Sequence, residues 1–231
     1  MSKQYIKGIT AGIIILVLIS LIFIGGSYFS GPKEETLVNN TIDEFMPQDV
    51  TVTTYSPDDH ILGPTVAQVL MISYSDLDCP HCKYFHSILE QAVDGYAGKV
   101  AWIYRHFPIS GASAELKAEA SECASELGGN KSFWRYIDAI YAYTDEEDTD
   151  YTKEVFTKLA RDIDLDENEF AACLESDMHK ELVQEHMDSG TKAGVSGTPT
   201  TFLISRGKQH KLIGAVTFEE IIAAVQSFTY L

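Results

Sequence analysis

The feature that most restricts this chain is an apolar run that ends in a close pair of cysteines. Val69 to Tyr74 (VLMISY) is short and apolar, the pattern of a buried strand. Cys79-Pro80-His81-Cys82 comes almost at once after it. Phe85, Ile88, Leu89, Ala92 and Val93 then recur at helical spacing on one face, and Gly95 and Gly98 close the segment. Val100 to Phe107 (VAWIYRHF) reads as a second strand. The order is strand, helix, strand, with Cys79 at the first strand-to-helix turn.

That position gives the cysteines their chemistry. At a helix start, free backbone N–H groups and the helix dipole favour an anion, so the first sulfur is stabilised as a thiolate. Cys82, about one turn further on, is more shielded and suits the resolving thiol. Pro80 fits the first helical turn, where its missing N–H is no loss. His81 can place a positive charge beside Cys79. A lone CxxC is also half of a zinc knuckle, and His81 and His86 are near enough in sequence to join it. Structural zinc wants four ligands, and Cys123 and Cys173, 50 residues apart, form no second knuckle. The strand before the motif favours dithiol–disulfide exchange, which needs no cofactor and no metal.

The rest of the chain extends this core. Residues 113–194 read mostly as helix. Leu116, Ala120, Cys123, Ala124 and Leu127 line one face, Gly128-Gly129-Asn130 stops that helix, and Phe133 to Tyr143 forms an aromatic-rich second. The acidic run Asp145 to Asp150 suits a solvated loop. Thr152 can cap a third helix running to Ile163. Phe170, Cys173 and Leu174 share a face of a fourth, and a fifth covers about 176–193. Thr200 to Ser205 reads as a strand, Arg206-Gly207-Lys208 as a turn and Gln209 to Ile213 as the hairpin partner. An amphipathic helix over Phe218 to Phe228 closes the chain. Trp102 and Trp134 belong to the core. His60, His106, His179, His186 and His210 are expected at the surface or in local bonds. Tyr84 and Phe85 could border a peptide groove, although helical spacing makes Phe85 a core residue.

Gly8 to Gly26 carries no charge and is rich in Ile, Leu, Val and Phe. As a helix rising about 1.5 Å per residue it crosses most of a roughly 30 Å hydrocarbon core. Lys3 and Lys7 precede it and Glu34 and Glu35 come after it, which puts residues 1–7 in the cytoplasm and the remainder outside. A cleaved signal peptide, with Ile13 to Ile24 as its apolar part and Gly25-Gly26-Ser27 as the processing site, exports the domain equally well. The expected organisation is a transmembrane anchor at 8–26, a polar linker at 27–48 and a globular domain at 49–231 with its helical insertion at about 111–194. The formal net charge of -17 repels phosphate backbones and argues against nucleic-acid partners.

With CPHC after a strand, the sequence resembles the thioredoxin superfamily, and within it the DsbA-like exported oxidoreductases, including membrane-anchored forms. Asp58-Asp59-His60-Ile61-Leu62-Gly63, then YSDLDCPHCKYFH, WIYRHFPIS and GVSGTPTTFLI, occur in that family's order over about Asp58 to Leu231. The resemblance implies an α/β thioredoxin-like fold with an all-helical insertion, preceded by the transmembrane helix. It implies a redox-active Cys79–Cys82 disulfide tuned by Pro80 and His81. It also implies a cis-proline loop at Thr198-Pro199, where the backbone of Thr198 pairs with the client peptide. Some relatives carry a second disulfide, which Cys123 and Cys173 would form here; two buried inert thiols are the alternative.

The function implied is disulfide formation in exported proteins, with re-oxidation by a quinone-linked membrane partner of the DsbB or vitamin-K-epoxide-reductase kind. The same fold run as a reductase or isomerase is the nearest alternative. An extracytoplasmic metal-binding or metallochaperone module is the alternative of another class. Two departures stand out. Relatives place an acidic residue six positions before the first cysteine, where this chain has Ser73. Asp76 and Asp78 flank the motif, and a carboxylate there opposes a thiolate at Cys79.

Overall fold

The computed structural model describes residue 52 and residues 55–96, 98–143 and 151–229. The candidate membrane segment 8–26, the linker 27–48 and the acidic run Asp145 to Asp150 lie outside these residues. Among the described residues no helix is long and apolar enough to cross a membrane.

The elements are β1 (His60–Leu62), β2 (Val69–Ser75), α1 (Pro80–Gly95), β3 (Val100–His106), α2 (Ala112–Tyr143), α3 (Lys153–Asp162), α4 (Glu167–Glu175), α5 (Lys180–Lys192), β4 (Thr200–Ser205), β5 (Lys208–Ile213) and α6 (Phe218–Thr229). The strands form one sheet in the order β1-β3-β2-β4-β5. β2 and β3 run parallel and are joined by α1, while β4 lies antiparallel to β2 and β5 antiparallel to β4. β1, antiparallel to β3, adds an edge strand that apolar periodicity does not reveal, because it is three residues long and begins with a histidine.

Alternation along the central strands fills both faces of the sheet. Val69 and Met71 of β2, with Val100, Trp102 and Tyr104 of β3, pack into the larger core together with Phe85 and Leu89 of α1 and Ile221 and Val225 of α6. Ile72 and Tyr74, with Ile103 and Phe202, pack on the other face with Ala193 and Val195. Both tryptophans are buried, as is Phe85, whereas Tyr84 is exposed.

The helical insertion departs from its expected pattern in three places. Leu116 is exposed, at 36 %. Its neighbour Lys117 turns inward instead, together with Glu119, Ser121 and Glu122, so α2 is buried around much of its circumference by polar as well as apolar residues. The expected stop at Gly128-Gly129-Asn130 is present: Gly129 breaks α2 with φ 72° and ψ -174°, a conformation that suits only glycine. Thr152 occupies the N-cap of α3 without a side-chain cap bond, whereas Asp166 caps α4 by accepting from the N–H groups of Asn168 and Glu169. The fifth helix begins at Lys180 rather than near 176, because Asp177, with φ 55°, interrupts the chain after α4.

Candidate active site

β2 ends beside the cysteine turn, and Asp76 organises the backbone on either side of that turn. Its carboxylate accepts from the N–H groups of Asp78, Ile109 and Ser110, each at 2.8 Å. Its carbonyl accepts from Cys79 N–H at 3.1 Å. Asp76 is 1 % exposed, so this one side chain fixes both the turn before α1 and the loop after β3.

Cys79 is the N-cap of α1, with extended φ -85° and ψ 117°, and Pro80 is the first helical residue. The Cys79 carbonyl accepts from Cys82 N–H at 3.0 Å and Lys83 N–H at 3.1 Å. Both cysteines are free thiols, Cys79 half-buried and Cys82 buried. Pro80 and His81 are exposed. The Thr198–Pro199 peptide bond is cis. The Cys79 thiol donates to the Thr198 carbonyl at 3.7 Å. The Pro199 carbonyl accepts from Gly214 N–H at 2.8 Å, which ties the loop to the end of β5.

The two sulfurs differ in environment. Burial pushes the Cys82 thiol up to about 12, and the Asp76 N–H and Thr198 hydroxyl beside it offset only part of that. The Asp76 N–H donates to Cys82 Sγ at 3.5 Å. Such a pair suits exchange: one sulfur within reach of a partner, and one held protonated behind it.

The aspartates flanking the motif are both engaged. Asp76 faces backbone N–H groups, and Asp78 forms an ion pair with Lys117 of α2. Ser73 is fully buried in a hydroxyl chain, with Ser75 at 3.2 Å and Thr201 at 3.1 Å. His86 does not join the cysteines as a ligand. Its Nε2 faces Asp138 Oδ1 at 2.9 Å, with Glu90 at 3.8 Å. Among the described residues the groups of potential metal ligands are His86–Glu90–Asp138, His106–Glu122–His186 and Cys123–Cys173–His179, none of which contains Cys79 or Cys82.

Cys123 and Cys173 are bonded, with S–S 2.03 Å and Cα–Cα 5.8 Å, and join α2 to α4. The histidines depart from expectation. His60, His106 and His186 are buried and converge from β1, β3 and α5. Glu122 accepts from His60 Nε2 and His106 Nε2, each at 2.8 Å, while His186 Nδ1 accepts from His106 N–H at 3.3 Å. Burial raises the Glu122 carboxyl, but these histidine bonds outweigh it and hold the group well below the usual carboxylate range. Burial, aided by the neighbouring His106, lowers His186 to about 3. Beside this cluster Arg105 makes a two-pronged bond to Asp59, at 2.8 and 2.7 Å. His179 does bond at the surface, to Glu126 at 2.9 Å.

Lys117 and this buried network escape sequence reading, as do the backbone groups that Asp76 faces. The one trace is charge inside an alanine-rich helix, in the run Lys117-Ala118-Glu119-Ala120-Ser121-Glu122.

A sheet of order β1-β3-β2-β4-β5 with a CxxC at the start of α1, facing a cis-proline loop, defines a thioredoxin fold carrying a helical insertion. The chain belongs to the thioredoxin family, whose pattern matches residues 55–227, and its fold is DsbA-like. Solved structures similar to it include DsbA2 of Pseudomonas aeruginosa, at 25% identity and TM-score 0.63, covering 76% of this chain and 97% of that one. BdbD of Bacillus subtilis shares the fold at 21% identity and TM-score 0.67, covering 78% and 98%. A curated relative named as Na(+)/H(+) antiporter NhaA 3, from Salinispora tropica, is 31% identical over 171 residues, which is 73% of this chain and 24% of that protein. The chain thus spans about a quarter of the length of the curated relatives it matches.

Proposed function

We propose that this protein forms disulfides in exported proteins through Cys79 and Cys82. The observation that carries the reading is the asymmetry of the pair. Cys79 stands half-buried at a helix N-terminus against the Thr198 carbonyl, and Cys82 lies buried with its thiol held up at about 12. In the oxidised protein a client thiolate attacks Cys79 Sγ. The Cys79–Cys82 bond breaks, and Cys82 leaves and takes a proton. The client stays joined to Cys79 as a mixed disulfide. A second client thiolate then attacks the client sulfur, and Cys79 departs as a thiolate. Two electrons pass from the client dithiol to the cysteine pair. Pro80 and His81 tune the Cys79 thiolate, and the Thr198-Pro199 loop presents backbone to the client. Cys123–Cys173 holds the helical insertion together.

Residues 8–26 anchor the protein by one transmembrane helix, with domain 49–231 on the extracytoplasmic side; cleavage of this segment would release it instead. Re-oxidation falls to a quinone-linked membrane protein of the DsbB or vitamin-K-epoxide-reductase kind. The charge-free run from Gly8 to Pro32 supports the anchor.

The test is the reduction potential of the Cys79–Cys82 pair against glutathione, combined with single substitutions. An oxidase gives a value well above the roughly −270 mV of a cytosolic thioredoxin. A value at that level makes the protein a reductase. Cys82→Ala should hold a client peptide as a mixed disulfide, and Cys79→Ala should hold none. Membrane fractionation and the mass of the mature N-terminus decide between anchor and signal peptide.

A further inference from the structure

Helix α2 directs one cation inward beside the cysteine turn. Lys117 is 2 % exposed. Its ammonium meets the Asp78 carboxylate and lies 3.5 Å from the centroid of the Tyr151 ring. An ammonium withdrawn from water needs such partners, a carboxylate and an aromatic face together. Asp78 immediately precedes Cys79. Its backbone N–H is held by Asp76 and its side chain by Lys117, so the carboxylate has a fixed place next to the reactive turn.

We infer that Lys117 is a positioning residue for the Cys79 reaction: its ion pair cancels the field of the Asp78 carboxylate at the sulfur and so sets how strongly the Cys79–Cys82 disulfide oxidises. This rests on the reading of Cys79 as the exchanging sulfur. A disulfide oxidises more strongly when its reduced form is stabilised, and a stabilised thiolate does that. A lone carboxylate on the neighbouring residue opposes the thiolate. Paired with Lys117 it presents little net charge. Removing Asp78 alone leaves an uncancelled ammonium, which favours the thiolate.

The two single substitutions therefore shift the redox balance in opposite directions, and the double substitution restores it. Loosening the turn, the consequence of a merely structural role, moves both singles the same way. The equilibrium measured is the reduction of the Cys79–Cys82 disulfide by two glutathione thiols. It yields two protein thiols and one glutathione disulfide, with two electrons passing to the protein.

The experiment measures that equilibrium in the full chain for the natural sequence, Lys117→Met, Asp78→Asn, the double variant and Lys117→Arg, with the pH dependence of thiolate absorbance at Cys79 as a second readout. Lys117→Met should move the equilibrium about tenfold toward the disulfide, equal to about 30 mV more reducing. Asp78→Asn should move it toward the dithiol, the double variant should lie within about twofold of the natural protein, and Lys117→Arg should stay close to it. Shifts of the same sign, no shift in either single, or a double variant as displaced as the larger single would overturn the inference. If Lys117→Met does not fold, Asp78→Asn decides: a shift toward the dithiol supports the inference, and none or the reverse defeats it. A natural protein whose Cys79 does not exchange with glutathione defeats the functional reading, and this inference with it. One that exchanges without the opposed shifts defeats the inference alone.

Discussion

The Cys79 thiol donates to the carbonyl of Thr198 at 3.7 Å, across 119 residues of chain. The contact joins the N-terminus of α1 to the loop before β4. It leaves the first sulfur at the rim of the domain, while the second lies behind it.

The difference between the two thiols should be visible in their alkylation. Held up at about 12, the Cys82 thiol is only about one part in ten thousand thiolate at pH 8, and it is buried, whereas Cys79 is half-buried. Limiting iodoacetamide at pH 8 should modify reduced protein at Cys79 and leave Cys82 intact. Peptide mapping by mass spectrometry provides the measurement. Comparable labelling at Cys82 would show that it is neither buried nor held protonated.

Asp76 offers a second test, because its carboxylate receives three backbone N–H groups from two loops. Asp76→Ala removes the acceptor of all three bonds, and bonds to a charged group are worth about 1.5–3 kcal/mol each before water replaces them. The expected loss is about 3 kcal/mol of unfolding free energy in urea, with the Ile109 and Ser110 amides exchanging hydrogen faster than those of β2. Unchanged protection at Ile109 and Ser110 would show that the bracket is dispensable.

The sheet and the cysteine turn are legible in the sequence because both rest on local signals. The apolar run Val69 to Tyr74, the helical spacing from Phe85 to Val93 and the turn at Arg206-Gly207 each act within a few residues, and the strands and helices lie where those signals put them. The features that escape depend on long-range polar contact. His60 reaches Glu122 across 62 residues, Lys117 reaches Asp78 across 39, and Arg105 reaches Asp59 across 46. Apolar periodicity assigns such residues to the surface, so it places Leu116 inward where Lys117 in fact enters. Nor does it reveal which atoms Asp76 faces: its proximity to Cys79 suggests a charge opposing the thiolate, whereas its oxygens are turned to backbone N–H groups.

The buried histidine cluster should make the domain sensitive to acid. His186 is lowered to about 3 when folded, against an ordinary 6.5 in the unfolded chain. Between these values the unfolded chain binds the extra proton, so stability falls as pH drops below 6.5. Glu122 is also held low when folded, and its contribution, present above its ordinary 4.5, is lost as pH falls further. His186→Asn keeps an acceptor for His106 N–H but does not titrate. It should flatten the stability curve between pH 6.5 and 4.5 by up to one proton, about 1.4 kcal/mol per pH unit. Urea melts across that range measure it, and parallel curves for the two proteins would rule out His186 as the titrating group.

The bond between Cys123 and Cys173 lies in the insertion and engages neither Cys79 nor Cys82, so stability and exchange should separate there. It closes a loop of 50 residues between α2 and α4. Cross-linking over that span restricts the unfolded chain by about 4 kcal/mol on a chain-entropy basis, and losses in practice run about 2–5 kcal/mol. Gly129 breaks α2, and α4 packs against α2 in the same buried core as well as through the bond. Phe170 and Leu174, both buried on α4, retain their contacts when the sulfurs are removed. Cys123→Ala/Cys173→Ala should therefore fold, lose about 2–4 kcal/mol in urea unfolding, and keep its rate of exchange with a dithiol peptide at 25 °C within about twofold, because the substitution leaves the Cys79 turn and the Thr198 loop untouched. A large fall in exchange rate with the fold intact would assign these cysteines a part in electron transfer.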